Sequence, residues 1–306
     1  MDEVGIIKKS INEQKILKKI IDFYTKNPLP NVLIFSGANR KLKLYIATEI
    51  IAKTHLCLNK KGCGECRSCL LMKKIEHPDL ILFPEDKIKI GDPEDPEEYS
   101  IRWLQKSVLA YKPIISDVRI IIIPSAEMLG NEAEIALLKT LEEPLSESKF
   151  ILFTPSLHYL SDTIVSRSIV IAIQNFSLDQ MKKITEISDY SFLEILGGTL
   201  DYSIYELFEF YQKIKPRIQA ALEHPLELLN LEEEIEKFMK DNAFLSETQF
   251  WEFFSLILMQ TLNIKKDPSL LNDIFIFLGG IRMEQPGLSS YLTSRLFFQL
   301  YKKIYF

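Results

Sequence analysis

Up to about residue 175, short apolar runs rich in β-branched residues alternate with longer stretches in which apolar positions recur every three or four residues. The runs are Val32 to Phe35, Leu80 to Phe83, Arg119 to Ile123, Phe150 to Phe153 and Ile169 to Ile173, and the periodic stretches are Glu13 to Tyr24, Leu42 to Thr54, Ile101 to Tyr111 and Glu132 to Glu142. A strand that is apolar at consecutive positions is buried on both faces. Strands of that kind alternating with helices predict a parallel α/β sheet covered on either side. Beyond residue 175 the strand signal stops. The chain then reads as a succession of amphipathic helices, with breaks at Gly197-Gly198, Pro216, Pro225, Pro268 and Gly279-Gly280. The acidic, proline-bearing stretch from Gly91 to Glu98 reads as a solvated loop.

Composition narrows the function classes. At 306 residues the chain has room for two or three domains, and 47% hydrophobic with 26% charged residues is a globular balance rather than a disordered one. The net charge of −5 offers no polybasic segment, and acidic side chains outnumber basic ones in the helical part. Contact with DNA is therefore expected to be local or supplied by partners. No apolar run approaches the roughly 18 residues of a membrane span. The opening MDEVGIIKKSINEQ lacks the basic and apolar regions of a secretory signal, so a cytoplasmic protein without a membrane role is expected.

All four cysteines fall in one stretch, Cys57, Cys63, Cys66 and Cys69. In a reducing compartment this spacing reads as four thiolates around one tetrahedral zinc ion, with Gly62 and Gly64 supplying the tight turns. Four thiolates leave no open coordination position, so the zinc would be structural. The plain alternative is a set of free thiols in a loop. His77 and His158 have no partners at ligand spacing and read as surface or loop histidines.

The first strand leads into Ser36-Gly37-Ala-Asn-Arg-Lys-Leu-Lys43-Leu44, which has the strand, turn and helix context of a phosphate-binding loop. Gly37 and Lys43 are in register. Leu42 stands where a second glycine lets backbone N–H groups approach phosphates, and Leu44 stands where a hydroxyl holds magnesium. Further along, the strand Arg119 to Ile123 ends in Pro124-Ser125, where an ATPase needs an acidic metal ligand and a catalytic acid. Glu127 comes two positions late. The loop reads as vestigial, and no bound ATP is expected.

Three strings carry a family resemblance. Cys63-Gly-Glu-Cys-Arg-Ser-Cys69 with His77-Pro-Asp-Leu80, the helix Ala136-Leu-Leu-Lys-Thr-Leu-Glu-Glu-Pro144, and Ser166-Arg167-Ser168 follow one another as the corresponding motifs do in bacterial DNA polymerase III clamp-loader subunits. The chain resembles that family well to about residue 205, and beyond it only in architecture. The resemblance implies an AAA+-type, P-loop-like α/β domain over residues 1–173 with a zinc module at 57–69. A small helical lid at 174–208 and an all-α C-terminal collar domain at 209–306 would follow. Departures are a short first cysteine spacing, Ser168 in place of the family's cysteine, and a short lid.

Within the family, gamma/tau subunits carry intact ATP motifs, and the delta-prime branch has the same domains with a degraded nucleotide site. The vestigial loop, Pro124-Ser125, and Asp201 at the position of a phosphate-sensing arginine resemble the delta-prime branch. This implies a subunit that hydrolyses nothing itself. It would sit in a five-subunit ring with gamma/tau and delta subunits and help load the sliding clamp onto primed DNA. Arg167, within Ser166-Arg167, would act in trans as an arginine finger at a neighbour's ATP site. The alternatives are a gamma/tau-like ATPase with a divergent site and, for Arg167, a plain surface salt bridge.

Overall fold

In the computed structural model, five of the apolar runs become strands: β1 (Val32–Ser36), β2 (Leu80–Leu82), β3 (Arg119–Ile123), β4 (Ser148–Thr154) and β5 (Ile169–Ala172). Residues 3–85, 87–142, 147–200, 204–223, 235, 237–238 and 247–261 are described. The chain divides into two units, Met1–Asn175 and Phe176–Phe306. In the first, the strands form one sheet ordered β2-β3-β4-β1-β5, with every neighbouring pair parallel. Parallel neighbours need a crossover between them, and helices supply it.

Both faces of the sheet are covered. Val32, Ile34, Ile121, Ile123, Phe150 and Leu152 join one apolar core with Leu104 and Val108 and with Leu137 and Leu141 of the helix Asn131–Glu142. The alternate residues Leu33, Phe35, Ile120, Ile122, Ile151 and Phe153 are buried as well. Strands apolar at every position are what such a sheet requires.

Several helices depart from their expected limits. Glu3–Glu13 is a helix that periodicity does not mark, and Lys15–Lys26 follows it after a break at Gln14, whose side chain donates to Gln174 O at 2.8 Å. Arg40–Tyr45, Ile46–Ala52 and Lys53–Leu56 run on as one helical segment, the middle stretch in π-helical form. The expected Ile101 to Tyr111 helix ends at Val108. Pro113 holds the residue before it out of the helical region, and the buried Arg119 guanidinium donates to the carbonyls of Val108 at 2.6 Å and Tyr111 at 2.9 Å.

The second unit holds the helices Leu178–Thr185, Tyr190–Ile195, Ile204–Glu223 and Glu247–Thr261. Ser177 and Gln180 form a reciprocal capping box at the first of them. Pro216, an expected break, lies inside Ile204–Glu223. An interior proline costs about 3 kcal/mol; burial of Tyr211, Ile214 and Ile218 along one side of the helix offsets it. The same helix runs across residue 208, the expected end of the lid. Phe192 packs against Phe208, Tyr211 and Phe253, with ring centroids 4.9, 5.3 and 6.2 Å away. These aromatics build a helical core rather than a platform for bases. Asp201, Pro225, Pro268, Gly279-Gly280 and most of the expected collar lie outside the described residues, as does the side chain of Trp251.

Candidate functional site

The four cysteines converge. Their Sγ atoms all lie within 4.8 Å of one another, with 3.6 Å from Cys57 to Cys63, 3.8 Å from Cys57 to Cys66 and 3.9 Å from Cys63 to Cys69. Thiolates about 2.3 Å from a tetrahedral zinc are about 3.8 Å apart, so the cluster fits such an ion. The local chain explains the convergence. Gly62 and Gly64 adopt φ of 59° and 80°, the left-handed turns that glycine accepts without cost, and Cys66 caps the helix Arg67–Met72. Backbone N–H groups of Cys66 and Cys69 point at the sulfurs of Cys63 and Cys66, at 3.4 and 3.5 Å. At Cys57, burial opposes ionisation, but N–H groups of Cys63, Lys61 and Asn59 outweigh it and bring the thiol down to about 6. Burial pushes Cys69 up to about 12. A dication is the natural means of holding all four as thiolates together, so the set could bind a metal ion such as zinc.

Behind the cysteines lies a buried network that local sequence does not announce. His77, read as a surface or loop residue, does lie in the loop before β2 but is only 2% exposed. Its Nδ1 accepts from the Asp79 N–H at 3.1 Å, which leaves the proton on Nε2 to meet Ser68 Oγ at 2.8 Å; Ser68 in turn donates to Leu56 O. Burial lowers the imidazole pKa against the pull of Asp79, favouring the neutral ring. The Asp79 carboxylate, fully buried, accepts the N–H groups of Ile114, Ile115 and Ser116 at 2.6, 2.7 and 2.8 Å. The network thus ties both ends of the cysteine segment to β2 and to the loop before β3. Hydrogen bonds to a charged acceptor contribute about 1.5–3 kcal/mol each. Asp79→Ala is expected to cost about 3 kcal/mol or more, with a fall of roughly 10 °C in Tm; an unchanged melting curve would remove the network from the stability account. His158 is exposed, as expected.

The phosphate-loop residues meet at the ends of β1, β3, β4 and β5, where open parallel sheets bind ligands. Gly37 has a φ of 116°, and a Cβ there would collide with the Ile173 carbonyl, so the loop is glycine for backbone reasons. Lys43 is buried, and its Nζ donates to Gly37 O at 2.6 Å and Thr154 O at 3.3 Å. Leu42 is fully buried. Arg40, on the first turn of the following helix, pairs with Glu85 and donates to Ser125 Oγ at 3.4 Å. Glu127 follows Ser125 in the next turn of the chain. The turn Ala126–Met128 brings it within electrostatic reach of Lys43 and Arg40, and its Oε2 is buried without a hydrogen-bond partner. Burial raises its pKa against the pull of both cations.

Arg167 stands immediately after the helix Asp162–Ser166. Its Nη2 pairs with Glu142 Oε1 at 2.7 Å, and its Nη1 donates to Thr163 O at 3.1 Å and approaches Ser166 Oγ at 3.5 Å. The side chain is 40% exposed. Ser166 Oγ donates to Thr163 O.

Comparison with known proteins gives this arrangement its family. The family described as "DNA polymerase III, delta subunit" matches residues 12–177, more than half the chain, and the chain belongs to the bacterial DNA polymerase III clamp-loader family. Relatives of both kinds are similar to it. The DNA polymerase III subunit gamma of Buchnera aphidicola is 28% identical over 72% of this chain and 58% of its own length. The subunit delta-prime of Bacillus subtilis is 30% identical over 52% of this chain and 47% of its own. The chain thus spans about half the length of these relatives. A crystal structure of a gamma-subunit-related protein from Thermotoga maritima superposes with a TM-score of 0.50 over 94% of this chain and 98% of that one, at 19% identity; the two share a fold. Among the described residues no helix is long and apolar enough to cross a membrane.

Proposed function

We propose that this chain is a delta-prime-type subunit of the DNA polymerase III clamp loader, one that hydrolyses no ATP itself and completes a neighbour's ATP site with Arg167. The observation that carries the reading is the state of the vestigial crevice. Lys43, which would meet phosphates, is buried against two backbone carbonyls. Pro124-Ser125 replaces the acids that would hold magnesium and activate water, and Arg40 faces Ser125 there. Arg167 lies outside the crevice and is partly exposed, as a group acting across a subunit boundary must be. A guanidinium so placed stabilises charge that develops on the transferred phosphoryl group.

In this reading residues 1–173 form the AAA+-type domain, 174–208 the lid and 209–306 the collar that holds a five-subunit ring with gamma/tau and delta subunits. The ring works in the cytoplasm on the sliding clamp and primed DNA, and the Cys57, Cys63, Cys66 and Cys69 site holds a structural zinc. One observation favours a second reading, a gamma/tau-like ATPase: the Glu127 carboxyl near Lys43. Nucleotide titration of the isolated chain separates the two. Magnesium-dependent turnover is expected at background and insensitive to Lys43→Ala, whereas saturable turnover abolished by Lys43→Ala would establish the enzyme.

A further inference from the structure

We infer that Glu142 is the positioning residue for Arg167, fixing the direction in which its guanidinium is presented to a neighbouring phosphate; the inference rests on the trans-acting reading of Arg167 and deepens it. An arginine side chain that begins at the end of a short helix has many rotamers to choose among. Here it is held at two nitrogens: Nη2 by the Glu142 carboxylate at 2.7 Å and Nη1 by the Thr163 carbonyl at 3.1 Å. Contacts on different nitrogens of one planar group fix the orientation of its plane as well as its place.

The helix that carries the anchor is itself packed in place. Glu142 ends the helix Asn131–Glu142, whose Ala133, Leu137, Thr140 and Leu141 are buried. Gln105 Nε2 donates to Ala136 O and Thr140 Oγ1 of that helix at 3.0 and 2.8 Å. Glu134, two turns before Glu142, accepts the Ser161 N–H at 2.7 Å, and Ser161 is the cap of the helix that carries Arg167. The two helices are therefore joined at one end by Glu134 with Ser161 and at the other by Glu142 with Arg167. The ion pair is too exposed, at 40% and 45%, to add much to folding. What it supplies is pre-organisation, and misplacement of a catalytic group by about 1 Å costs up to about a hundredfold in rate.

The test is a mutant cycle in the reconstituted clamp loader, with DNA- and clamp-stimulated ATP turnover read alongside assembly by size analysis. Glu142→Ala is expected to lower the Arg167-dependent part of kcat by roughly tenfold with KM for ATP unchanged. Glu142→Gln, whose amide oxygen still accepts from Nη2, is expected to restore most of it. In an Arg167→Ala background, Glu142→Ala is expected to change nothing further. Unchanged or faster turnover with Glu142→Ala, while Arg167→Ala still depresses it, would overturn the positioning role and leave the trans-acting arginine standing. A loss that persists in the Arg167→Ala background, or one that follows failed assembly of both Glu142 variants, overturns it too. If Arg167→Ala itself has no effect, the trans-acting reading fails and this inference falls with it.

Discussion

With the trans-acting role proposed for Arg167, Arg167→Ala is expected to silence a neighbour's ATP site while leaving this chain folded and assembled. A guanidinium supplied across an interface raises phosphoryl transfer by roughly 10³ to 10⁵, because it meets charge present mainly in the transition state. That corresponds to about 4–7 kcal/mol of barrier at about 1.36 kcal/mol per tenfold step. Stimulated turnover of the assembled loader should fall by the share of that site. Arg167→Lys should not rescue it, since a point charge lacks the planar fork. Stability should change by less than about 1 kcal/mol, the usual scale of a half-exposed ion pair. If Arg167 served only its pair with Glu142, the small stability change would be the whole effect and turnover would be normal.

Removing the zinc proposed for the four cysteines is expected to have the largest effect on stability. Structural zinc supplies an apparent 10–16 kcal/mol or so in small zinc-finger peptides near neutral pH, against a total of about 5–15 kcal/mol for a typical domain. Elemental analysis should find one zinc per chain. Cys66→Ser isolates the metal's contribution, because a serine can still cap the helix Arg67–Met72 as Cys66 does. The variant should lose zinc and melt at a clearly lower temperature. Through Ser68, His77 and Asp79 the loss should spread, and hydrogen exchange should quicken in the loop at Ile114 to Ser116. A wild-type chain with no metal and four titratable thiols would contradict this.

What the sequence announced follows from which interactions are local. Burial on two faces makes β3 apolar at every position from Ile120 to Ile123, so that run is legible without knowing its neighbours. The cysteine cluster is legible because its ligands lie close in sequence and need only two glycine turns between them. Periodicity does not mark the helix Glu3–Glu13, because Gly5 and a run of polar residues blur it and only the break at Gln14 separates it from the next. Pro216 reads as a break by a local rule, which packing around Tyr211 and Ile218 outweighs. His77 gave no sign of burial, since its environment comes from Ser68 and from a loop near residue 115. Glu127 comes two positions late by spacing, and its reach to Lys43 and Arg40 is set by the turn Ala126–Met128, which spacing alone does not show. The pairing of Arg167 with Glu142 joins residues that no helical or strand period relates, so the motif suggested a role for the arginine and was silent on what holds it.

The central claim is that this subunit acts on a neighbour's nucleotide and not on its own. It is tested most directly by titrating the wild-type chain into a mixture of gamma/tau and delta subunits with clamp and primed DNA, while following ATP turnover. The account predicts background turnover by the chain alone, and a rise on addition that saturates at one chain per complex and is unaffected by Lys43→Ala. Turnover by the chain alone, or a rise that Lys43→Ala abolishes, would contradict it.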